Sequence, residues 1–341
     1  MKLLTAVKLI ADGQLPAMLG MLKTCNGLYR ACFVSTALSQ GIYGKFVDGR
    51  SSFEKLCEGM DLEFSREGLR TWLELGVSLG ELKRVGTEYR IQGRLSKALI
   101  KDRNDGYAAL LEEIVKYHYD YVIHTPSMLK EQKRFPFDES SGELIARSSR
   151  ISEPIIFEAV DAIVPRKGDF RLLEVGCGSG VYIHRACKRN PNLRAVGLEL
   201  QKSVADFARK NIASWGLEDR ATIEHRDVRD YQGSREFDLI TLHQNIYYFP
   251  VAERADLARH LLDCLKPDGR VLLTTIGQGG SPSMQVLNIW VSTTEGYGPL
   301  PDPDQLCQQF REAGFSEVKS RRLVPFESFW EFVAIKPQAL S

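Results

Sequence analysis

The stretch LLEVGCGSG, residues 172–180, sets an acid behind two leucines and then spaces three glycines, Gly176, Gly178 and Gly180, with one residue between each. The apolar run FRLLEV (170–175) reads as a buried strand and VYIHRACKRN (181–190) as a helix. At a strand-to-helix bend the backbone must turn sharply and approach a ligand without β-carbons in the way, and glycine does this at least steric cost. A dinucleotide-binding turn has the spacing GxGxxG, because its pyrophosphate sits on the helix N-terminus. Here the third glycine arrives one residue early, and Val181 stands where that spacing would need it. Glu174 puts a carboxylate at the mouth of the turn, where it repels a pyrophosphate but can organise a loop around a cation. The pattern predicts a pocket for a nucleoside with a positively charged tail and no phosphate, formed by Glu174, Gly176, Cys177 and Gly178.

Downstream, strands and helices alternate. RAVGLEL (194–200) is a strand ending at Glu199 and Leu200, where a carboxylate can accept from both ribose hydroxyls. QKSVADFARKNIASWG (201–216) is a helix closed by a glycine. ATIEHRDV (221–228) is a strand that carries Asp227 to its end, placed to accept from an adenine amino group, with Val228 against the ring. One acid at a strand end is commonly a solvated or capping residue; three at successive strand ends make a site. FDLITLHQ (237–244) is a further strand. VAERADLARHLLDCLKPDG (251–269) is a helix stopped by Pro267 and Gly269, followed by the strand RVLLTTI. FSEVKSRRLV (315–324) and FWEFVAIKP (329–337) form an antiparallel pair. The expected fold class is α/β, a doubly wound, mostly parallel Rossmann-like sheet over residues 151–341, with ligands at the carboxyl ends of its strands.

Residues 1–150 have a different texture, mainly helical. Leu3, Leu4, Val7 and Ile10 fall at helical spacing, as do Leu69 and Leu73. Ser51 or Ser52 can cap a helix containing Phe53, Leu56 and Cys57, and Ser65 a second one. The segments ELKRV and EYRI, split by Gly86 and Thr87, read as a small hairpin. Helix, turn, helix, hairpin is a winged-helix pattern. A DNA-reading helix wants several basic or amide side chains on its exposed face; this one offers Arg66 and Arg70 beside Glu67 and Glu74, so packing and dimer formation are expected instead. The aromatic run YHYDYVIH (117–124) suits a core, a subunit interface or one wall of a substrate pocket.

Composition narrows the class. The 341 residues are 43% hydrophobic, with 45 basic against 44 acidic side chains and a net charge of +1. That balance gives no electrostatic case for nucleic acid or an anionic membrane. Cys25, Cys32, Cys57, Cys177, Cys187, Cys264 and Cys307 are scattered without CxxC spacing, which suits free thiols in a cytoplasm. Lys8, Asp12 and Gln14 interrupt the apolar N-terminus, so a signal peptide is not expected.

With LLEVGCGSG, VGLEL, HRDV and LLDCLKPDGRVLLTT, the sequence resembles the class I S-adenosylmethionine-dependent methyltransferases over roughly residues 165–337. The resemblance implies seven strands ending in a reversed hairpin. It also implies that the turn at Glu174–Gly178 holds the methionyl end, Glu199 the ribose, and Asp227 with Val228 the adenine. The first half resembles the dimerisation domain of small-molecule O-methyltransferases, which implies a homodimer. In that subgroup the base is usually a histidine soon after the fourth strand of the sheet, and Tyr247 stands at that position. His243, four residues earlier, is open to three roles: cofactor wall, base or packing. Tyr247 and Tyr248 shape an acceptor pocket or serve structure. The segment 277–304 is a candidate lid with Met284, Trp290 and Tyr297 facing an apolar acceptor. A metal held by His243 and Glu295 is a lesser alternative, and none is expected. The expected reaction is O-methylation of a hydroxylated aromatic or polyketide-like metabolite. Carbon or nitrogen methylation, a nucleoside-sensing regulator and a nicotinamide oxidoreductase are the rivals.

Overall fold

A computed structural model describes residues 3–58, 60, 66–136 and 142–338. The chain divides into two units that interleave in sequence: residues 1–117 with 143–150, and residues 118–142 with 151–341.

The first unit is helical around a three-stranded antiparallel sheet of β1 (Arg50–Ser52), β2 (Leu82–Val85) and β3 (Glu88–Ile91), in the order β1-β3-β2. Gly86, at φ 62°, makes the two-residue turn between β2 and β3. Ser52 caps the helix Phe53–Cys57, its side chain accepting from the Lys55 amide. The cap expected at Ser65 lies outside the described residues, and the helix behind it runs Arg66–Ser78. That helix meets the long helix Gln14–Ser39 at Gly76. A β-carbon at Gly76 would stand 2.2 Å from Phe33 Cζ, so the missing side chain lets Phe33 stack on Trp72 at 4.2 Å. Phe33, Leu56, Leu73, Leu82 and Tyr89 form the core of this unit.

The second unit is built on β4 (Phe170–Val175), β5 (Leu193–Glu199), β6 (Ala221–His225), β7 (Phe237–His243), β8 (Leu265–Ile276), β9 (Glu317–Arg322) and β10 (Phe329–Ile335). Their order is β6-β5-β4-β7-β8-β10-β9. The first five are parallel, and β10 runs antiparallel to both β8 and β9. Alternation along each strand feeds two cores. Leu173, Ile240 and Leu273 face one side, under the helices Arg254–Cys264 and Pro303–Glu312. Leu172, Leu239 and Leu272 face the other, under the helices Glu153–Ile163, Val181–Arg189 and Lys202–Ser214. The direction of winding reverses between β4 and β7, which opens a crevice beyond their carboxyl ends.

One element differs from its sequence reading. The helix before β8 stops at Cys264, ahead of the Pro267 and Gly269 signal, and β8 already begins at Leu265. Proline disfavours helical backbone in the residue before it, here Lys266. Leu265 pairs with Phe237, after which the register slips until Arg270 faces Leu239, with Asp268 in the left-handed region at φ 61°. Among the described residues no helix is long and apolar enough to cross a membrane.

Phe237 opens β7 fully buried against Tyr231. Phe237→Ala is expected to lower the unfolding free energy of this unit by about 3–5 kcal/mol, measured by urea denaturation with unchanged slope.

Candidate functional site

The glycine turn lies at the carboxyl end of β4, the central strand. Gly176, Gly178 and Gly180 all occupy left-handed backbone, at φ 63°, 52° and 78°, a region closed to most side chains. The Cys177 amide donates to Leu198 O at 2.9 Å and ties the turn to β5; the Gly180 amide donates to Cys177 O at 2.8 Å and closes the bend. Helix Val181–Arg189 starts from Gly180. Glu199, at the end of β5, accepts from the amides of Gly178 and Gln201, both at 3.1 Å.

Glu174 is the outlier. It is 1% exposed, and neither carboxylate oxygen has a hydrogen-bond partner. Burial holds its carboxyl well above the ordinary range, the Ile183 backbone amide opposes the shift, and the Glu199 charge adds to it. A buried carboxyl with nothing to bond is costly in the free protein and fitted to an incoming cation.

The end of β7 supplies the facing wall. His243 is buried, with Nδ1 at 2.8 Å from Thr274 Oγ1, its ring 4.6 Å from Tyr182 and Nε2 without a partner. Burial pushes its pKa down to about 3, so the ring is neutral at pH 7. Gln244 then takes left-handed backbone at φ 57°, which re-aims the chain and directs Asn245 back across the sheet. Asn245 Nδ2 donates to Val175 O at 2.5 Å. A β-carbon at Gly176 would lie 2.7 Å from that nitrogen, so glycine is what admits this contact.

At the adjoining strand ends, Leu200 is 62% exposed just past Glu199, and Val228 is buried. Asp227 has its carboxylate engaged by Arg229, through the backbone amide at 2.9 Å and the guanidinium at 2.6 Å. That pairing holds its pKa below the usual carboxylate range.

A second group of side chains is aromatic. Tyr247 and Tyr248 lie 4.8 Å apart, Tyr248 and Tyr297 4.8 Å, Trp290 and Tyr297 6.0 Å. Tyr121 extends the row, 6.5 Å from Trp290 and 4.6 Å from Phe135. Trp290 belongs to the helix Pro282–Thr293. The segment carrying Phe135 pairs with it through the bridge Phe135–Thr294 and the bond from the Phe135 amide to Thr293 O. The Gly298 amide donates to Tyr247 O at 3.0 Å. Buried Arg254 donates to Phe249 O at 3.0 Å and to Pro299 O at 2.6 Å, pinning the two loops together.

The structure thus gathers Glu174, Gly176, Cys177, Gly178, Glu199, Leu200, Asp227, Val228 and His243 along the carboxyl edge of the sheet, and Tyr247, Tyr248, Trp290 and Tyr297 in one cluster. Met284 is half-buried beside Gly280 and is not part of that cluster. Glu295 is exposed whereas His243 is buried, and among the described residues no three His, Cys, Asp or Glu come together as metal ligands. Sequence reasoning passed over Asn245, Tyr182, Phe135 and Arg254. Asn245 carries a legible signal, its place two residues after His243 at the end of a switch-point strand.

Residues 173–271 match a family described as a methyltransferase domain. The chain is 25% identical over 169 residues to the malonyl-acyl-carrier-protein O-methyltransferase of Priestia megaterium, covering 46% of this chain and 60% of that protein. It is 28% identical over 131 residues to the release factor glutamine methyltransferase of Caulobacter vibrioides, covering 38% and 42%. The chain therefore spans less than two thirds of the length of the curated relatives it matches. The structure of the mitomycin 7-O-methyltransferase MmcR is similar with a TM-score of 0.77 at 18% identity, over 98% of this chain and 100% of that one. Human N-acetylserotonin methyltransferase in complex with SAM gives 0.74 at 15%, over 94% and 98%. At such identities the likeness is one of fold. The strand order, the three-glycine turn and the family match define a class I, S-adenosylmethionine-dependent methyltransferase fold. The match to the methyltransferase domain family falls inside the second unit.

The two buried titrating groups act on stability in opposite directions. The raised pKa of Glu174 means that its contribution is complete below its unfolded value and is lost as pH rises. The depressed pKa of His243 means that its contribution is present above its unfolded value, near 6.5, and is lost as pH falls toward 3. Glu174→Gln is therefore expected to raise the melting temperature of the ligand-free protein by several degrees at pH 8, with the gain vanishing near pH 4. Scanning calorimetry across that range checks it; equal melting at pH 8 would contradict the unpaired carboxylate.

Proposed function

We propose that the protein transfers a methyl group from S-adenosylmethionine to a small-molecule acceptor, on oxygen of a hydroxylated aromatic or polyketide-like metabolite. The observation that carries the reading is the buried, partnerless carboxylate of Glu174 inside a three-glycine turn, at the point where the sheet reverses its winding. The residues present suit the cofactor: a carboxylate that lacks a cation, a turn without β-carbons, and an acid at the end of β5. In this reading Glu174, Gly176, Cys177 and Gly178 hold the amino-acid tail, Glu199 and Leu200 the ribose, and Asp227 with Val228 the adenine.

When bound, the cofactor supplies a sulfonium methyl open to displacement. The chain's part is alignment of the acceptor with that carbon. His243 is assigned to the cofactor wall, because a ring of pKa about 3 is far from the near-neutral value an effective base needs. Tyr248, Trp290 and Tyr297 are assigned to the acceptor, with Met284 at the margin; a row of tilted and edge-on rings suits a flat apolar molecule. The names of the similar structures, a mitomycin 7-O-methyltransferase and an N-acetylserotonin methyltransferase, agree with an acceptor of that kind. The low basicity of His243 and the tyrosine at 247 favour, as a second reading, carbon or nitrogen methylation of an acceptor that needs no strong base.

Pairing through the N-terminal helices fits the exposed Val7, Ile10, Met18, Leu19, Met21 and Leu22, and seven free thiols suit a cytoplasmic setting.

Calorimetry is expected to record S-adenosylmethionine and S-adenosylhomocysteine binding, and no heat with nicotinamide dinucleotides. His243→Ala is expected to weaken binding of both nucleosides roughly tenfold, about the effect of removing 1–2 kcal/mol of contact. Transfer of a tritiated methyl group to a panel of phenols reads turnover. Unchanged affinity with lost turnover would make His243 the base.

A further inference from the structure

The helices Glu153–Ile163 and Val181–Arg189 pack on each other and both end at the amino edge of the sheet, opposite the glycine turn. Where they end lies a cleft of about 290 Å3 lined by Asp161, Arg166, Arg185, Lys188 and Arg189. Every lining side chain is charged, four positively against one negatively, in a chain whose net charge is +1.

The fold accounts for part of this charge. Arg185 holds Asp161 with two nitrogens, Nε to Oδ1 at 2.9 Å and Nη2 to Oδ2, and its guanidinium lies over the Phe157 ring. Those bonds keep the Asp161 carboxyl below the usual carboxylate range against the effect of burial, and the charges of Arg189 and Arg166 add to them. Arg189 Nε donates to Val164 O at 2.6 Å, just past the first helix. Arg220 donates to Asn190 O at 3.2 Å and Pro191 O at 2.8 Å, just past the second. The carbonyl ends of both helices, which would otherwise repel an anion, are thus covered by cations. Arg166 and Lys188 remain. Both are exposed, and among the described residues neither takes part in a hydrogen bond or ion pair.

Two uncommitted cations and the remaining donors of Arg189 therefore meet at one concavity, whose single acid is already neutralised by Arg185. A carboxylate, with one charge and two oxygens, leaves part of that surplus unmet. A phosphoryl group brings two charges and three oxygens, which suit arginine forks beside a lysine point charge. The volume is that of a small-molecule site, not of a groove for a polymer.

We propose that this cleft binds a phosphate dianion, free or as the monoester of a small molecule, with Arg166 and Lys188 as its principal contacts. The site is separate from the crevice at the carboxyl ends of β4 and β7 and does not depend on the methyltransferase reading.

Calorimetry on the full chain at pH 8 and fixed ionic strength compares glycerol 3-phosphate, inorganic phosphate and glycerate. Both phosphates are expected to bind at one site per chain, and glycerate roughly tenfold more weakly or worse. Tighter binding of the ester than of inorganic phosphate assigns the cleft to an esterified ligand, and equal binding to free phosphate. Arg166→Ala with Lys188→Ala should weaken both phosphates roughly tenfold or more. Lys83→Ala with Arg90→Ala removes the same charge from exposed positions on β2 and β3 and should change nothing. Equal weakening by the two pairs, or no saturable heat with either phosphate, means an adventitious ion only and overturns the proposal. Displacement of phosphate by S-adenosylhomocysteine overturns it as well, by placing the anion in the crevice. Should S-adenosylhomocysteine itself fail to bind, the methyltransferase reading falls and this one stands.

Discussion

A carboxyl group at the end of a central strand, sealed from water and with neither oxygen in a well-formed hydrogen bond, is the constraint around which the second unit is arranged. Glu174 lies opposite Gly197 of β5 on one side and Thr241 of β7 on the other, and it is 1% exposed. The fold bears a local cost there, and the neighbouring structure holds the residue in place: three left-handed glycines, an amide from Asn245 across to Val175, and a strained turn at Gln244. Such concentrations of strain and unmet polarity are typical of binding sites and rare elsewhere.

The other buried ionisable groups of this unit resolve their burial differently. His243 gives up its charge and keeps one bond to Thr274. Arg254 keeps two bonds to main-chain carbonyls, and burial pulls its pKa down to about 10. Asp227, only half-buried, borrows the guanidinium of Arg229. Glu174 alone among these four stands with both side-chain oxygens bare.

What could be read in advance followed from local rules. The strands of the second unit are short apolar runs bounded by glycine and acids, and the turn at 176–180 carries its own punctuation, so the sheet and its carboxyl edge were legible. The proline at 267 predicts a longer helix before β8 than the chain forms, because extended backbone at Leu265 ends it first. Asn245 is legible only by its place two residues after His243: nothing beside it announces that the backbone before it turns left-handed, and its partner lies 70 residues away at Val175. Phe135 and Tyr121 precede the sheet in sequence; Phe135 reaches the aromatic row through a pairing with residues 293–295, and Tyr121 through the packing of its helix on the one that carries Trp290, contacts that periodicity cannot reveal.

The attachment of that aromatic row has an evolutionary side. Arg254 grips the carbonyls of Phe249 and Pro299, and the strap at Phe135 is likewise held by main chain. Grips of this sort are indifferent to side-chain identity. The residues that face the row are therefore free to drift from one lineage to the next while the scaffold beneath them stays put, and a new molecular preference asks for no new architecture.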